Sequence, residues 1–167
     1  MIMKRILVLS DSHSGTSFMY WCIDRVKPDA IIHLGDYYDD GQLLHEMYPM
    51  IPFLQVPGNC DRWRTPPFAR EIAIEQLFGV DLYLTHGHRH AVKSTTGLLI
   101  EDARKAKVQA VLYGHTHLED CRKEGDLWVL NPGSSGSWGG SAGIIEVEDG
   151  KILNCRIFRY ADQEGLK

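Results

Sequence analysis

Six short polar clusters carry the side chains that could do chemistry: Asp11-Ser12-His13, Gly35-Asp36, Gly58-Asn59-Cys60-Asp61, His86-Gly87-His88, Gly114-His115-Thr116-His117 and Asn131-Pro132-Gly133-Ser134. The first five supply carboxylates, imidazoles and one amide, with no thiolate that the set depends on. Such donors suit divalent manganese, iron, zinc or magnesium better than they suit a cysteine-rich structural zinc site. There are enough of them that two ions fit better than one. Glycines in these turns let the backbone bend sharply and approach an ion or a phosphate without a Cβ in the way.

The elements that must position these groups are legible as periodicity. Each cluster follows a short apolar run that reads as a buried strand: Arg5 to Leu9, Ala30 to Leu34, Pro52 to Val56, Leu82 to Leu84 and Ala110 to Tyr113. Phe18, Met19, Cys22, Ile23 and Val26 recur at helical spacing before Pro28. A second helix is expected over Ser94 to Lys107, with Ser94 as N-cap and Leu99, Ala103 and Ala106 along one face, and a weaker one near Gly41 to Tyr48. Beyond residue 125 the runs Leu127 to Leu130, Ala142 to Val147 and Lys151 to Phe158 read as strands, the last two joined by an Asp149-Gly150 hairpin. Strand and helix alternate and then give way to a strand-rich end, which predicts an α/β core of packed sheets with helices outside. In such cores ligands gather at the carboxyl ends of the strands, where the polar clusters sit.

The ordered set of motifs, DxH, GD, GNxD, a histidine-glycine turn and GHxH, resembles the calcineurin-like metallophosphoesterases over residues 11 to 117, extending to the Asn131-Pro132-Gly133-Ser134 turn. With Gly58-Asn59-Cys60-Asp61, the chain is most similar to their small bacterial and archaeal phosphodiesterases, and so to the retromer subunit of the same fold. The resemblance implies a four-layer sandwich of two facing mixed β-sheets flanked by helices, as a single domain over residues 1–167 without a cap. It also implies two divalent ions, manganese first, with iron, zinc, nickel or magnesium as alternatives. Asp11, His13 and His117 would hold one ion, Asn59, His86 and His115 the other, and Asp36 would bridge them. Ions roughly 3.5 to 4 Å apart clamp phosphate oxygens and bring the pKa of bound water from about 15.7 towards about 7. The implied reaction is in-line hydrolysis of a small phosphodiester by a metal-bridged hydroxide, with His88 stabilising the equatorial oxygens. A phosphomonoesterase and a metal-binding interaction scaffold like the retromer subunit are the alternatives. One departure stands out: Cys60 occupies the position where many members carry a histidine thought to protonate the leaving group.

Taken singly, most clusters have plainer readings. Gly-Asp and Gly-Asn are ordinary turn dipeptides, Asp11-Ser12-His13 suits a helix-capping loop, and Asn131-Pro132-Gly133-Ser134 reads as a turn with little direct part in a site. Gly114-His115-Thr116-His117 resists this treatment, because packing alone does not call for two imidazoles flanking a threonine after a buried run. Asp61 is read as a carboxylate that orients a ligand imidazole, and Cys60 as a packing residue. His33 and His45 are assigned to structure or surface. His88 and His90 lie outside the ligand set and read as solvated loop residues, His88 being the better functional candidate. Arg62, Trp63, Arg64, Arg89 and Lys93 are placed on the rim, where they could meet a phosphate or a base.

Hydrophobic residues make up 44% and charged residues 24% of the 167, an ordinary globular composition. No apolar run is long enough to span a bilayer, and the N-terminus lacks the apolar core of a signal peptide, so a cytoplasmic location without membrane contact is expected. Cys22, Cys60, Cys121 and Cys155 form no CxxC pair and are expected to be reduced. A formal net charge of -4 argues against strong nonspecific nucleic-acid binding, although bound cations reverse the field locally. Neither a Walker A sequence nor GxGxxG is present. Gly139 to Gly143 fits G-x-S-x-G, but it leads into a strand rather than the helix that a nucleophile elbow requires. Self-association into a homo-oligomer is left open.

Overall fold

Alternating apolar side chains make two-faced strands, and in the central strands of this chain both faces are buried. A computed structural model describes residues 2–162. In chain order the elements are β1 (Lys4–Leu9), α1 (Ser17–Val26), β2 (Ala30–His33), α2 (Tyr38–Met47), β3 (Phe53–Gln55), β4 (Ile72–Leu77), β5 (Val80–Thr85), α3 (Gly97–Lys105), β6 (Ala110–Leu112), β7 (Asp120–Glu124), β8 (Leu127–Asn131), β9 (Ala142–Glu148) and β10 (Lys151–Phe158). Single 3-10 turns lie at Asn59–Asp61 and His88–His90.

Two five-stranded sheets result, ordered β10-β9-β1-β2-β3 and β4-β5-β6-β8-β7. β1, β2 and β3 are parallel, as are β5, β6 and β8, and the remaining strands pair antiparallel. Ile6 and Val8 of β1 point between the sheets, joining Ile32, Leu82, Leu112 and Ile145 in the central core. Leu7 and Leu9 point the other way, onto Phe18, Met19, Cys22 and Val26 of α1. On the far face Leu99, Ile100 and Ala103 of α3 cover Tyr83, Val111 and Val129. The layers are therefore helix, sheet, sheet, helix, as the resemblance implies. Burying a leucine of this kind stabilises by roughly 1.5 to 3 kcal/mol. The Asp149-Gly150 hairpin forms with φ of 52° and 71° at its two residues, the primed-turn geometry that suits strand twist.

Several elements differ from the expectation. α3 starts at Gly97 with Thr96 at its N-cap position, not at Ser94. Ala91 adopts φ 51°, and the Ser94 N–H bonds back to the Ala91 carbonyl, so residues 91 to 94 are spent on a turn. α2 begins three residues earlier than the pattern suggests, because its first N–H is capped by Asp61 from a distant loop. β4 and β7 were not expected at all. Both are edge strands of the second sheet with mostly half-exposed or exposed residues, so neither carries an apolar alternation. Among the described residues, no helix is long and apolar enough to cross a membrane.

Candidate metal centre

The polar clusters leave the carboxyl ends of the six parallel strands, three from each sheet, and so converge at one end of the sandwich. Their loops are tied directly to one another. The Asp11 N–H donates to the Gly35 carbonyl at 2.9 Å, Ser12 N–H to the Asp36 carbonyl at 2.9 Å, and Gly114 N–H to the His86 carbonyl at 2.8 Å. Backbone strain concentrates in the same place: Asp11, His13, Asp36, His115 and His117 have φ of 54°, 45°, 45°, 71° and 61°. Non-glycine residues in this region cost on the order of 1 kcal/mol each and persist only where the surroundings over-determine them.

Asp11 and Asp36 each turn one oxygen to the scaffold and the other to imidazoles. Asp11 Oδ2 accepts the Ser10 hydroxyl at 2.6 Å and the His115 N–H at 3.0 Å, while Oδ1 faces Nε2 of His117, His86 and His13 at 3.2, 3.7 and 4.0 Å. Asp36 Oδ1 accepts the Cys60 N–H at 2.9 Å, while Oδ2 faces Nε2 of His86 and His13 at 3.4 and 3.7 Å. His86 Nδ1 lies 2.8 Å from the Leu34 carbonyl, which can only accept, so Nδ1 carries a proton. Its Nε2 and Asp11 Oδ1 are both buried without a hydrogen-bond partner. Nε2 aimed at two carboxylates calls for positive charge there, a proton or a cation, and the carboxylate and imidazole donors gathered around it fit a cation. The electrostatics agree. Burial opposes a charged His86, yet Asp36 and Asp11 outweigh it and raise its pKa. Burial also opposes the Asp36 carboxylate, but His86 and the Cys60 N–H outweigh it and hold its pKa below the usual range.

The ligand atoms of Asp11, His13 and His117 lie within 4.8 Å of one another, as do those of Asp11, Asp36 and His86, and those of His13, Asp36 and Cys60. His115 stands beside them, its ring centroid 5.0 Å from that of His86. Burial first, and neighbouring His86 second, lower its pKa. Asn59 is exposed on the other side, its amide 3.7 Å from Cys60 Sγ. Together with His88, Arg62 and Arg89 it lines a cleft of about 610 Å³.

The surroundings correct several readings of the sequence. Cys60 is not a packing residue: it is exposed at the mouth of the site, and burial, followed by the nearby carboxylate of Asp36, pushes its thiol up to about 11. Asp61 orients backbone rather than an imidazole. Fully buried, it accepts N–H groups from Asp36 at 2.9 Å, Tyr38 at 2.7 Å and Gly58 at 2.7 Å. His90 is buried rather than solvated, with Nε2 2.9 Å from Asp102 and 3.2 Å from the Tyr83 hydroxyl, and it pins the loop to α3. His88, only 18% exposed at its side chain, lies 3.6 Å from Glu71.

The Asn131-Pro132-Gly133-Ser134 turn is more than a plain turn. Asn131 Nδ2 donates to the Gly114 carbonyl and the Thr116 hydroxyl, and Ser134 Oγ donates to the Asp11 carbonyl at 2.9 Å. His33 is structural as expected. Gly35 N–H donates to its Nδ1, so Nε2 carries the proton and donates to Ser12 Oγ at 3.0 Å, and that hydroxyl donates to Asp40 at 2.7 Å. Ser141, in the rival G-x-S-x-G segment, is buried and donates to the Pro132 carbonyl ahead of β9, so it is no nucleophile. Ser10, Asp40 and Glu71 are supporting residues that sequence reasoning missed. Only Ser10, flanking the first cluster, had a local signal.

Known proteins share this sequence pattern and fold. The chain is 29% identical over 135 residues to a probable metallophosphoesterase of Mycoplasma pneumoniae, covering 79% of each. A solved Streptococcus pneumoniae protein described as a predicted phosphoesterase superposes with a TM-score of 0.75 at 27% identity, covering 95% of this chain and 91% of that one. A structure described as a novel archaeal phosphodiesterase shares the fold, with a TM-score of 0.69 at 19% identity, covering 92% and 99%. Residues 3–150 match the model of the calcineurin-like phosphoesterase superfamily domain, and the chain belongs to that superfamily, whose members use divalent metals.

Proposed function

We propose that the protein is a phosphodiesterase with a dinuclear metal centre. The observation that carries this reading is the buried, unpartnered pair of Asp11 Oδ1 and His86 Nε2, with His13, His117 and Asp36 gathered around it. Asp11, His13 and His117 would hold one ion, Asn59, His86 and His115 the other, with Asp36 between them. A pair of divalent ions supplies Lewis-acid polarisation of phosphate oxygens and a nucleophilic water of lowered pKa.

The chain's own residues do the rest. The hydrogen bonds to Asp11 Oδ2 and Asp36 Oδ1 hold both carboxylates in orientation before reaction. His88, with ring separations of 5.6 and 6.2 Å from His86 and His115, would stabilise charge on a phosphate oxygen. Asp61 acts at one remove by holding the loops. The cleft beyond Asn59 leaves room for a second esterifying group, which favours a diester over a monoester. The relative described as an archaeal phosphodiesterase supports the same choice. Cys60 stands where many members place a histidine, so diesters with good leaving groups are the expected substrates.

The test compares bis(4-nitrophenyl) phosphate with 4-nitrophenyl phosphate, using metal-stripped protein before and after manganese is added, with Asp36→Ala as control. Manganese-dependent cleavage that favours the diester and is lost in the variant supports the proposal. Inactivity with every divalent metal would leave a binding scaffold.

A further inference from the structure

The cleft beside the metal centre holds an unused charge. At about 610 Å³ it is the size of a small-molecule site. Its permanently charged lining residues are Arg62, Arg89 and Glu71. Arg89 is already engaged, with Nε and Nη2 at 2.7 and 3.4 Å from the two oxygens of Glu71. The Thr65 hydroxyl is also engaged, donating to the Asp61 carbonyl at 2.6 Å. Arg62 has no carboxylate partner among the described residues. Its guanidinium lies 5.5 Å from the ring of Trp63, which is 90% exposed. A chain of net charge -4 thus presents one unpaired positive charge, the Arg62 guanidinium, in the cleft beside its candidate centre. Neighbouring Arg64 is not in this position, since it faces Asp39 at 3.9 Å and the Tyr37 ring.

We infer that the cleft receives one esterifying group of the substrate, and that Arg62 binds a second phosphate carried on that group. The substrate class is then a phosphodiester bearing an additional phosphate monoester, which a planar guanidinium recognises through two parallel N–H···O bonds. The identity of the scissile bond rests on the phosphodiesterase reading. The second phosphate rests on the unpaired guanidinium and the dimensions of the cleft.

The probes are thymidine 3′,5′-bisphosphate and thymidine 5′-monophosphate, titrated calorimetrically into manganese-loaded protein. Arg62 is exposed, so Arg62→Gln and Arg62→Lys should both fold. The wild type should bind the bisphosphate on the order of tenfold to a hundredfold more tightly than the monophosphate. Arg62→Gln should erase that preference, and Arg62→Lys should keep part of it. Equal binding of both probes by the wild type, or a preference that survives in Arg62→Gln, overturns the inference. Hydrolysis of bis(4-nitrophenyl) phosphate by the same preparations separates the two readings. Hydrolysis without the binding preference overturns the inference alone, whereas the Arg62-dependent preference without hydrolysis upholds the cleft and overturns the catalytic reading.

Discussion

Asp61 offers the sharpest division between a catalytic and an architectural role. Its carboxylate is fully buried and accepts three backbone N–H groups, from the Asp36 loop, the Gly58 turn and the first residue of α2. Asp61→Ala strands three donors at once. At about 1 to 3 kcal/mol for each buried group left unsatisfied, the loss is roughly 3 to 9 kcal/mol before relaxation or water entry reduces it. Asp61→Asn keeps one oxygen for the Asp36 and Gly58 N–H groups but sets an NH₂ against the Tyr38 N–H, so its loss should be nearer 1 to 3 kcal/mol. For a chain of 167 residues, about 2 to 4 °C in Tm accompanies each kcal/mol. Asp61→Ala should therefore lower Tm by roughly 6 °C or more, and Asp61→Asn by about 2 to 12 °C. Calorimetry on metal-stripped protein isolates this effect, because no bound ion can then mask or exaggerate it. Asp36 should also hold metal less tightly in both variants, since its strained φ of 45° depends on the loop that Asp61 fixes. If metal-stripped Asp61→Ala melts within a degree or two of wild type, the architectural account of this residue is wrong.

Two further predictions probe the scaffold. A Cβ at Gly114 would collide with the Ser10 hydroxyl and come within 2.7 Å of Asp11 Oδ2, so Gly114→Ala should weaken manganese binding by about 10- to 100-fold; unchanged affinity in a metal titration would dismiss the role given to that close approach. Burial first, and the charge of His86 second, lower the pKa of His33 to about 3. Between that value and about 6.5 the unfolded chain binds a proton that the native state refuses, so stability rises with pH across this window and falls as pH drops. At 1.36 kcal/mol per unit, this group should contribute a loss of about 2 kcal/mol between pH 7 and pH 5. Urea unfolding of metal-stripped protein at the two pH values should show that loss, and His33→Gln should remove it. An identical pH dependence in the two proteins would contradict the neutral, buried His33.

The ligand clusters were legible because each sits in a short loop directly after a buried strand, and local sequence determines both. The sheets were legible for the same reason, through β1, β2, β5, β6 and β9. What the sequence concealed is non-local. Two of the three N–H partners of Asp61 lie 25 and 23 residues away at Asp36 and Tyr38, so neither its brace across the loops nor the early start of α2 has a local signature. β4 and β7 escaped notice because an edge strand has no need of alternation. The exposure of Cys60 and the burial of His90 depend on which loops pack beside them. The same holds for the Asn131 brace, whose amide reaches across to the Gly114 loop. Whether Arg62 is paired could be judged only once Glu71 was seen to hold Arg89.

The most direct test of the dinuclear reading is a titration of metal-stripped protein with manganese, in which bound metal and bis(4-nitrophenyl) phosphate hydrolysis are followed together. The account predicts that activity rises with bound metal and saturates at two equivalents per chain. Saturation at one equivalent, or two bound equivalents without hydrolysis, would contradict it.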